Sequence, residues 1–421
     1  MNVTLPKIGS VDMHVAAPPS KSYTHRAMIA GALASGRTTI RNPLDAQDTR
    51  LTLAALRALG VTAVWDCDRI TIEGCNGAFP TVRETTLDLD NSGTSLRLLT
   101  SLALLCQHPV TLTGSARMQE RPIGPLADAL IPLGGSVRFL NQDGYPPLEV
   151  NGHLEGGPVT MDGSISSQFI SSILIAAPYA KREIEVTLPK PAASASYLDI
   201  TLDVMHAFGA RAEREGYEKF TVSTRHHYTG REYAVEGDYS SASYFFALAA
   251  ICGGRVTVKN LAPGSVQGDR RFQNALREMG CRVTCNDTSV TVERTGELQG
   301  ITFDMRSSPD TVQTLCMVAA TCNSPTTITG ISHLKFKESD RINGTADRLL
   351  ALGGDVTVGG DAITIRPAPL HGGTLDSGND HRTAMSFAVL GLGIGGITIT
   401  DAACVNKSFP GFWDCLKGVM P

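Results

Sequence analysis

The chain has 421 residues, 42% hydrophobic and 19% charged, an ordinary globular composition with enough apolar matter for more than one core. A net charge of −4 excludes a polycation that coats nucleic acid or an anionic membrane, and no apolar run is long enough to span a bilayer. Neither nucleic acid nor membrane is therefore expected as a partner. The start Met1-Asn2-Val3-Thr4 lacks a basic stretch leading into an apolar one, so no secretion signal is expected. Ten scattered Cys, with no His or second Cys pair to complete a site beside Cys281 and Cys285, read as reduced structural thiols of a cytoplasmic protein without a metal.

In chain order, two short alternating strands come first, Val3-Thr4-Leu5 and Val11 to Val15. The polar turn Pro19-Ser20-Lys21-Ser22 then opens an apolar helix, and a strand with Thr before an apolar residue follows at Thr39-Ile40. A second helix ends at Leu59-Gly60, where Gly suits the left-handed position that closes a helix, and leads into an alternating strand pair. This order recurs. The strand signature returns at Thr111-Leu112, Thr187-Leu188, Thr257-Val258, Thr327-Ile328 and Thr398-Ile399, in steps of 72, 76, 70, 70 and 71 residues. The helix stop returns at Leu133-Gly134, Phe208-Gly209, Met279-Gly280 and Leu352-Gly353. In the sixth unit Trp413 to Lys417 is the last helix, Gly418 its stop, and no residues remain for the strand pair. The two N-terminal strands are free to complete it.

Six units divide into two domains of three. The N-terminal domain is expected at 18–232, and 1–17 with 233–421 form the C-terminal domain, with crossings near Ala17-Pro18 and Arg231 to Glu236.

Each unit's main helix opens on a polar turn: Ser20, Asn91-Ser92-Gly93-Thr94, Ser166-Ser167-Gln168, Tyr239-Ser240-Ser241, Ser308-Pro309-Asp310 and Asn379-Asp380-His381-Arg382. Ser, Asn and Asp there read first as caps. Lys21, Arg26, Arg97 and Arg382 need more than that, because the helix dipole disfavours cations at this end. Their placement makes sense if an anion meets both the cation and the dipole. Three off-repeat segments add charge: Arg117 to Pro122, Lys335 to Arg341 and Val405 to Pro410. No Gly-rich loop ends in Gly-Lys-Ser/Thr, and Gly391 to Gly396 follows a helix and precedes a strand, the reverse of a dinucleotide fingerprint. His226-His227 lack carboxylates at ligand spacing.

Together, Pro19-Ser20-Lys21-Ser22 with Arg26, Asn91-x-Gly93-Thr94-x-x-Arg97, Arg121-Pro122-Ile123, Ser166-Ser167-Gln168, Ser194-x-x-Tyr197-x-Asp199-Ile200-Thr201, Asp310, Lys337-Glu338-Ser339-Asp340-Arg341, Asp380-His381-Arg382 and Lys407-x-Phe409-Pro410 resemble, in the same order, the motifs of the EPSP synthase family of enolpyruvyl transferases. The resemblance covers essentially the whole chain. It implies an α/β fold of two similar domains, each of three βαβαββ units with helices gathered inside the strands, an inside-out α/β barrel with the active site in the interdomain cleft. It also implies a cytoplasmic, monomeric transferase of the shikimate pathway to chorismate and the aromatic amino acids, a glyphosate target without metal or organic cofactor. The reaction so implied moves the carboxyvinyl group of phosphoenolpyruvate to the 5-hydroxyl of shikimate 3-phosphate by addition and elimination of phosphate.

By the same resemblance, Lys21, Ser22, Arg26, Ser166, Ser167, Ser194, Tyr197, Asp310, His333 and Lys337 hold shikimate 3-phosphate, while Lys21, Gly93, Thr94, Arg121, Gln168, Arg341, Arg382 and Lys407 hold phosphoenolpyruvate. Asp310, Glu338 and Lys21 are the proton carriers. His333 stands where many relatives have Asn, Lys335 where Arg is common, and Ser92, Ser95 and Leu98 differ from the commonest form of the Gly93 turn. The sister family that moves the same group onto UDP-N-acetylglucosamine carries a reactive Cys before its Arg-Pro. Here that loop reads Gly114-Ser115-Ala116-Arg117-Met118. A non-catalytic sensor of phosphorylated metabolites would need no acid and base, yet Asp310 and Glu338 are both present.

Overall fold

A computed structural model of the chain describes residues 1–420. It divides into two compact units, Pro19–Val235 and Met1–Pro18 with Glu236–Pro421. Each has its own hydrophobic core.

Three helices form the inside of each core: Lys21–Leu33, Gly93–Leu102 and Ser167–Ala176 in one unit, Tyr239–Cys252, Val312–Ala319 and His381–Ile394 in the other. Gly93–Leu102, Val312–Ala319 and Tyr239 through Ile251 are buried at every position, as expected of helices enclosed on all sides. Their small hydroxyls pair with one another: Ser101 with Ser172 at 2.7 Å, Ser243 with Thr314 at 3.3 Å, Thr314 with Ser386 at 3.2 Å. The partners lie about one repeat apart in sequence, so equivalent positions of successive units meet. The sheets surround these helices, which gives the inside-out α/β arrangement.

There are six small sheets among the described residues, five of four strands and one of three. In each four-stranded sheet, a strand carrying the repeated signature runs parallel to an edge strand and antiparallel to the second strand of the hairpin, as Val110–Thr113 does between Thr85–Asp88 and Leu148–Gly152; in the three-stranded one, Ile397–Thr400 runs parallel to Gly373–Asp376 and antiparallel to Val3–Leu5. The helix-closing glycines Gly60, Gly134, Gly209, Gly280 and Gly353 all have φ between +86° and +107°, a region that side chains with a β-carbon disfavour. Gly418 differs: its φ is −67°, and the helix before it begins at Phe412 rather than Trp413.

Two expectations about the strands are corrected. Thr187 is the last residue of the strand Ile184–Thr187, and Val186, paired with Phe220, is the counterpart of Leu112 paired with Leu148. The third signature therefore sits two residues earlier than Leu188, which evens the steps of 76 and 70 to 74 and 72. A period-2 pattern hides such a shift, since a two-residue displacement keeps every side chain on its face.

The N-terminal strands also separate. Val3–Leu5 pairs antiparallel with Ile397–Thr400 and enters the sixth sheet as expected. Val11–Ala16 does not: it runs parallel to Gly254–Lys259 in the fourth. Elsewhere the edge strand pairs with the strand that follows its own helix, as Thr302–Asp304 does with Thr326–Thr329. At the two crossings the edge strands are exchanged. Val11–Ala16 precedes Lys21–Leu33 but pairs with the strand after Tyr239–Cys252, whereas Glu232–Ala234 precedes Tyr239–Cys252 but pairs with Arg37–Arg41.

Among the described residues no helix is long and apolar enough to cross a membrane. The ten Cys are free thiols, and burial pushes Cys106, Cys252 and Cys316 up to about 12, far from the range of a reactive thiolate.

Candidate active site

The sequence-predicted residues fall into two groups, one in each unit. In the unit Pro19–Val235, Lys21 opens its helix and Nζ donates to Asp48 Oδ2 at 2.9 Å. Asp48 is buried in the first turn of Gln47–Ala58, where its charge also suits the helix dipole. Ser20 precedes Lys21 but makes no cap bond, and its Oγ is buried with no hydrogen-bond partner. Arg26, one turn further in, is fully buried and donates to Thr201 Oγ1, Ser171 Oγ and the carbonyls of Ser22 and Tyr197. Burial lowers it to about 10. Its charge thus sits behind Ser22 and Tyr197 and fixes both backbones.

Gly93 begins the second inner helix, and the Arg121 guanidinium lies against it. Arg121 is buried, its Nη1 donating to both Asn91 O (3.2 Å) and Asn91 Oδ1 (3.1 Å). Gln168 is held from two sides: its Nε2 donates to Thr94 Oγ1 at 3.0 Å, and its Oε1 accepts from Arg97 at 2.9 Å. Arg97, grouped above with the anion-binding cations, is buried, stacked over Phe169 and bonded to Gln168. Ser166 caps the helix of Ser167 and Gln168 by accepting from Gln168 N. Ser194 stands in the left-handed region at φ +57°, two residues before the helix Ser196–Ala207 that carries Tyr197.

In the other unit, Arg341 is the hub. Its guanidinium donates Nε to Asp380 at 2.8 Å, Nη1 to Asp310 at 3.0 Å and Nη2 to Glu338 at 2.8 Å. Arg382 donates to the other Asp310 oxygen at 2.6 Å, to Asp310 O at 3.1 Å and to Tyr244 Oη at 3.4 Å. Asp310 is therefore gripped by two arginines while Glu338 is held nearby on the same hub. Burial lowers the pKa of Arg341, but the charges of Asp380, Glu338 and Asp310 more than reverse this and raise it overall. Asp380 caps the helix of His381 and Arg382 by accepting from Arg382 N; burial opposes its charge, yet Arg341 and His381 hold it down to about 2. His333 is buried and, by that burial and the charge of Lys337, lowered to about 3, so its ring is neutral at pH 7. Lys407 is buried at the end of the turn Ala402–Lys407, which packs on His381–Ile394.

Sequence reasoning missed several supporting groups. Asp48, Tyr244 and Asp269 carried no motif, and Asp380 was read only as part of one. Asp238, not the Tyr239-Ser240-Ser241 turn itself, caps its helix through a bond from Ser241 N. Asp269 is buried beside Ser240, and burial together with the charge of Asp310 raises it to about 7.

What this arrangement offers is two clusters of cations and hydrogen-bond donors suited to multiply charged anions, plus three carboxylates fixed on one arginine. The family model for EPSP synthase (3-phosphoshikimate 1-carboxyvinyltransferase) matches residues 5–416. A 3-phosphoshikimate 1-carboxyvinyltransferase of Methanoregula boonei is 64% identical over 420 residues, covering 100% of both chains. One from Serratia proteamaculans is 41% identical, covering 99% of this chain and 98% of its own. The solved EPSP synthase of Acinetobacter baumannii superposes with a TM-score of 0.83 at 28% identity, over 100% of this chain and 98% of that one. The chain belongs to the EPSP synthase family.

Proposed function

We infer that the two residue clusters are the machinery by which this chain, a transferase of the shikimate pathway, moves the carboxyvinyl group of phosphoenolpyruvate to the 5-hydroxyl of shikimate 3-phosphate. The observation that carries the assignment of roles is the Asp310–Arg341–Glu338 arrangement, in which two carboxylates share one buried guanidinium. Asp310 takes the proton of the attacking hydroxyl as oxygen bonds to the second carbon of phosphoenolpyruvate. Glu338 gives a proton to the third carbon, and Lys21 is a further proton carrier. Loss of a proton from that carbon then expels phosphate and restores the vinyl group.

Shikimate 3-phosphate is taken by Lys21, Ser22, Ser166, Ser167, Ser194, Tyr197, Asp310, His333 and Lys337, with Arg26 supplying charge behind Ser22 and Tyr197. Phosphoenolpyruvate is taken by Lys21, Gly93, Thr94, Arg121, Gln168, Arg341, Arg382 and Lys407. Arg forks match carboxylate and phosphate geometry. Arg382 turns from Asp310 to the substrate, and neutral His333 offers a ring N–H. The ten free thiols fit a reducing compartment, the cytoplasm, where the chain works as a monomer. The test is phosphate release from phosphoenolpyruvate with shikimate 3-phosphate or UDP-N-acetylglucosamine as acceptor. Release with the first alone supports the reading; release with the second alone overturns it.

A further inference from the structure

Ser92 stands in the cap position before Gly93, but its hydroxyl makes no cap bond. It turns to Ser95 Oγ at 2.6 Å instead. Ser95 Oγ also meets Thr52 Oγ1 at 2.7 Å and Asp48 O at 3.3 Å, and Thr52 Oγ1 meets His25 Nδ1 at 2.8 Å. All four side chains are fully buried. A hydroxyl has one proton and two lone pairs, which fixes the order. Ser95 donates to the Asp48 carbonyl, accepts from Ser92 and from Thr52, and Thr52 accepts from a protonated Nδ1 of His25. That tautomer is assigned by the hydrogen-bond network.

The chain of bonds spans three helices. His25 lies one turn after Lys21 on Lys21–Leu33, and Thr52 lies one turn after Asp48 on Gln47–Ala58. The Lys21–Asp48 ion pair thus has a second tie one turn deeper, and this one continues to the turn of Gly93. We propose that His25 and Thr52 are positioning residues that fix the Gly93 turn relative to the Lys21 helix, so that donors from both meet phosphoenolpyruvate in one geometry. Buried networks of directional hydrogen bonds define a single arrangement where apolar packing tolerates several, and small misplacement of binding groups is costly. Ser92 and Ser95, two of the departures from the common form of this turn, are the residues that let the network reach it. The inference rests on the assignment of Gly93 to phosphoenolpyruvate.

The experiment measures KM for each substrate, with kcat, in Thr52→Val, Thr52→Ser, Ser95→Ala and Gly93→Ala. Thr52→Val keeps the shape and removes the hydroxyl; Ser95→Ala breaks the same node from the other side should Thr52→Val not fold. Either is expected to raise KM for phosphoenolpyruvate about tenfold, the scale of one lost buried hydrogen bond, with KM for shikimate 3-phosphate within about twofold. Thr52→Ser is expected to restore wild-type values, which a purely steric role would not do. If Gly93→Ala raises KM for phosphoenolpyruvate while Thr52→Val and Ser95→Ala change both constants alike or neither, the positioning role is wrong and the assignment of the turn stands. If Gly93→Ala leaves that KM unchanged, the assignment itself fails and the inference with it.

Discussion

The Arg121 guanidinium lies so near the Cα of Gly93 that a β-carbon at residue 93 would stand 2.5 Å from one terminal nitrogen and 2.7 Å from the guanidinium carbon. Such an approach is possible only without a side chain at 93. Gly93→Ala must push Arg121 off Asn91, and because the obstacle is the end of a side chain the fold survives. The expected result is a near-normal Tm and a KM for phosphoenolpyruvate raised by roughly ten- to hundredfold, the scale of one charge-assisted hydrogen bond. Glyphosate, the longer competitor, should be weakened further. An unchanged ratio of inhibition constant to KM would place Gly93 away from the bound ligand.

Asp310 and Arg382 are joined yet should fail differently. Asp310→Asn keeps the side-chain shape and one of the two oxygens that accept from Arg341 and Arg382, but cannot accept a proton as a carboxylate does. It should lower kcat by roughly 10² or more with modest changes in KM. Arg382→Ala should mainly raise KM for phosphoenolpyruvate, since it removes a contact made before the chemical step. Steady-state kinetics showing one pattern for both would contradict the division of roles.

Stability should depend on pH through two buried groups of opposite sign. Asp269, raised to about 7, is comfortable protonated, so its contribution is greatest below its unfolded value and is lost as pH rises to about 7. His333, lowered to about 3, is comfortable neutral, so its contribution is present above its unfolded value and is lost as pH falls toward 3. Urea unfolding from pH 4 to 8 should show Asp269→Asn gaining on the wild type as pH rises, and His333→Asn gaining as pH falls. Parallel curves for either variant would contradict the buried state assigned to that group.

The return of the N-terminus to the far end of the sequence has a mechanical test. Leu5 is fully buried on Val3–Leu5, against Gly391 of the last inner helix. Leu5→Ala should cost about 2–5 kcal/mol of unfolding free energy, as for other buried Leu, whereas Val64→Ala, on an exposed strand face, should change it by less than about 0.5 kcal/mol. Equal effects in denaturant unfolding would mean that Val3–Leu5 is not part of the sixth sheet.

The six repeats and their helix stops were legible because each depends on local rules: alternation along a strand, and a positive φ that Gly meets at residues 60, 134, 209, 280 and 353. The exchange of Val11–Ala16 and Glu232–Ala234 was not, since an alternating strand looks the same whichever neighbour it joins. Charges told a similar story. Lys21 was found as a cation at a helix start and Arg341 in a charged segment off the repeat, but the carboxylates that hold them, Asp48 and Asp380, are set by packing between helices that sequence spacing does not reveal. Arg97 shows the limit most clearly, because its charge is visible in the sequence while its burial against Phe169 and Gln168 is not.

The most direct measurement of the central claim is mass spectrometry of the product formed from phosphoenolpyruvate and shikimate 3-phosphate in heavy water, with phosphate counted in the same mixture. Addition followed by elimination places a solvent proton on the third carbon of phosphoenolpyruvate before another is lost. The expected product is shikimate 3-phosphate bearing one carboxyvinyl group with deuterium at its methylene, and one phosphate released per product. Product without deuterium would contradict the addition–elimination route, and no product at all would contradict the transfer itself.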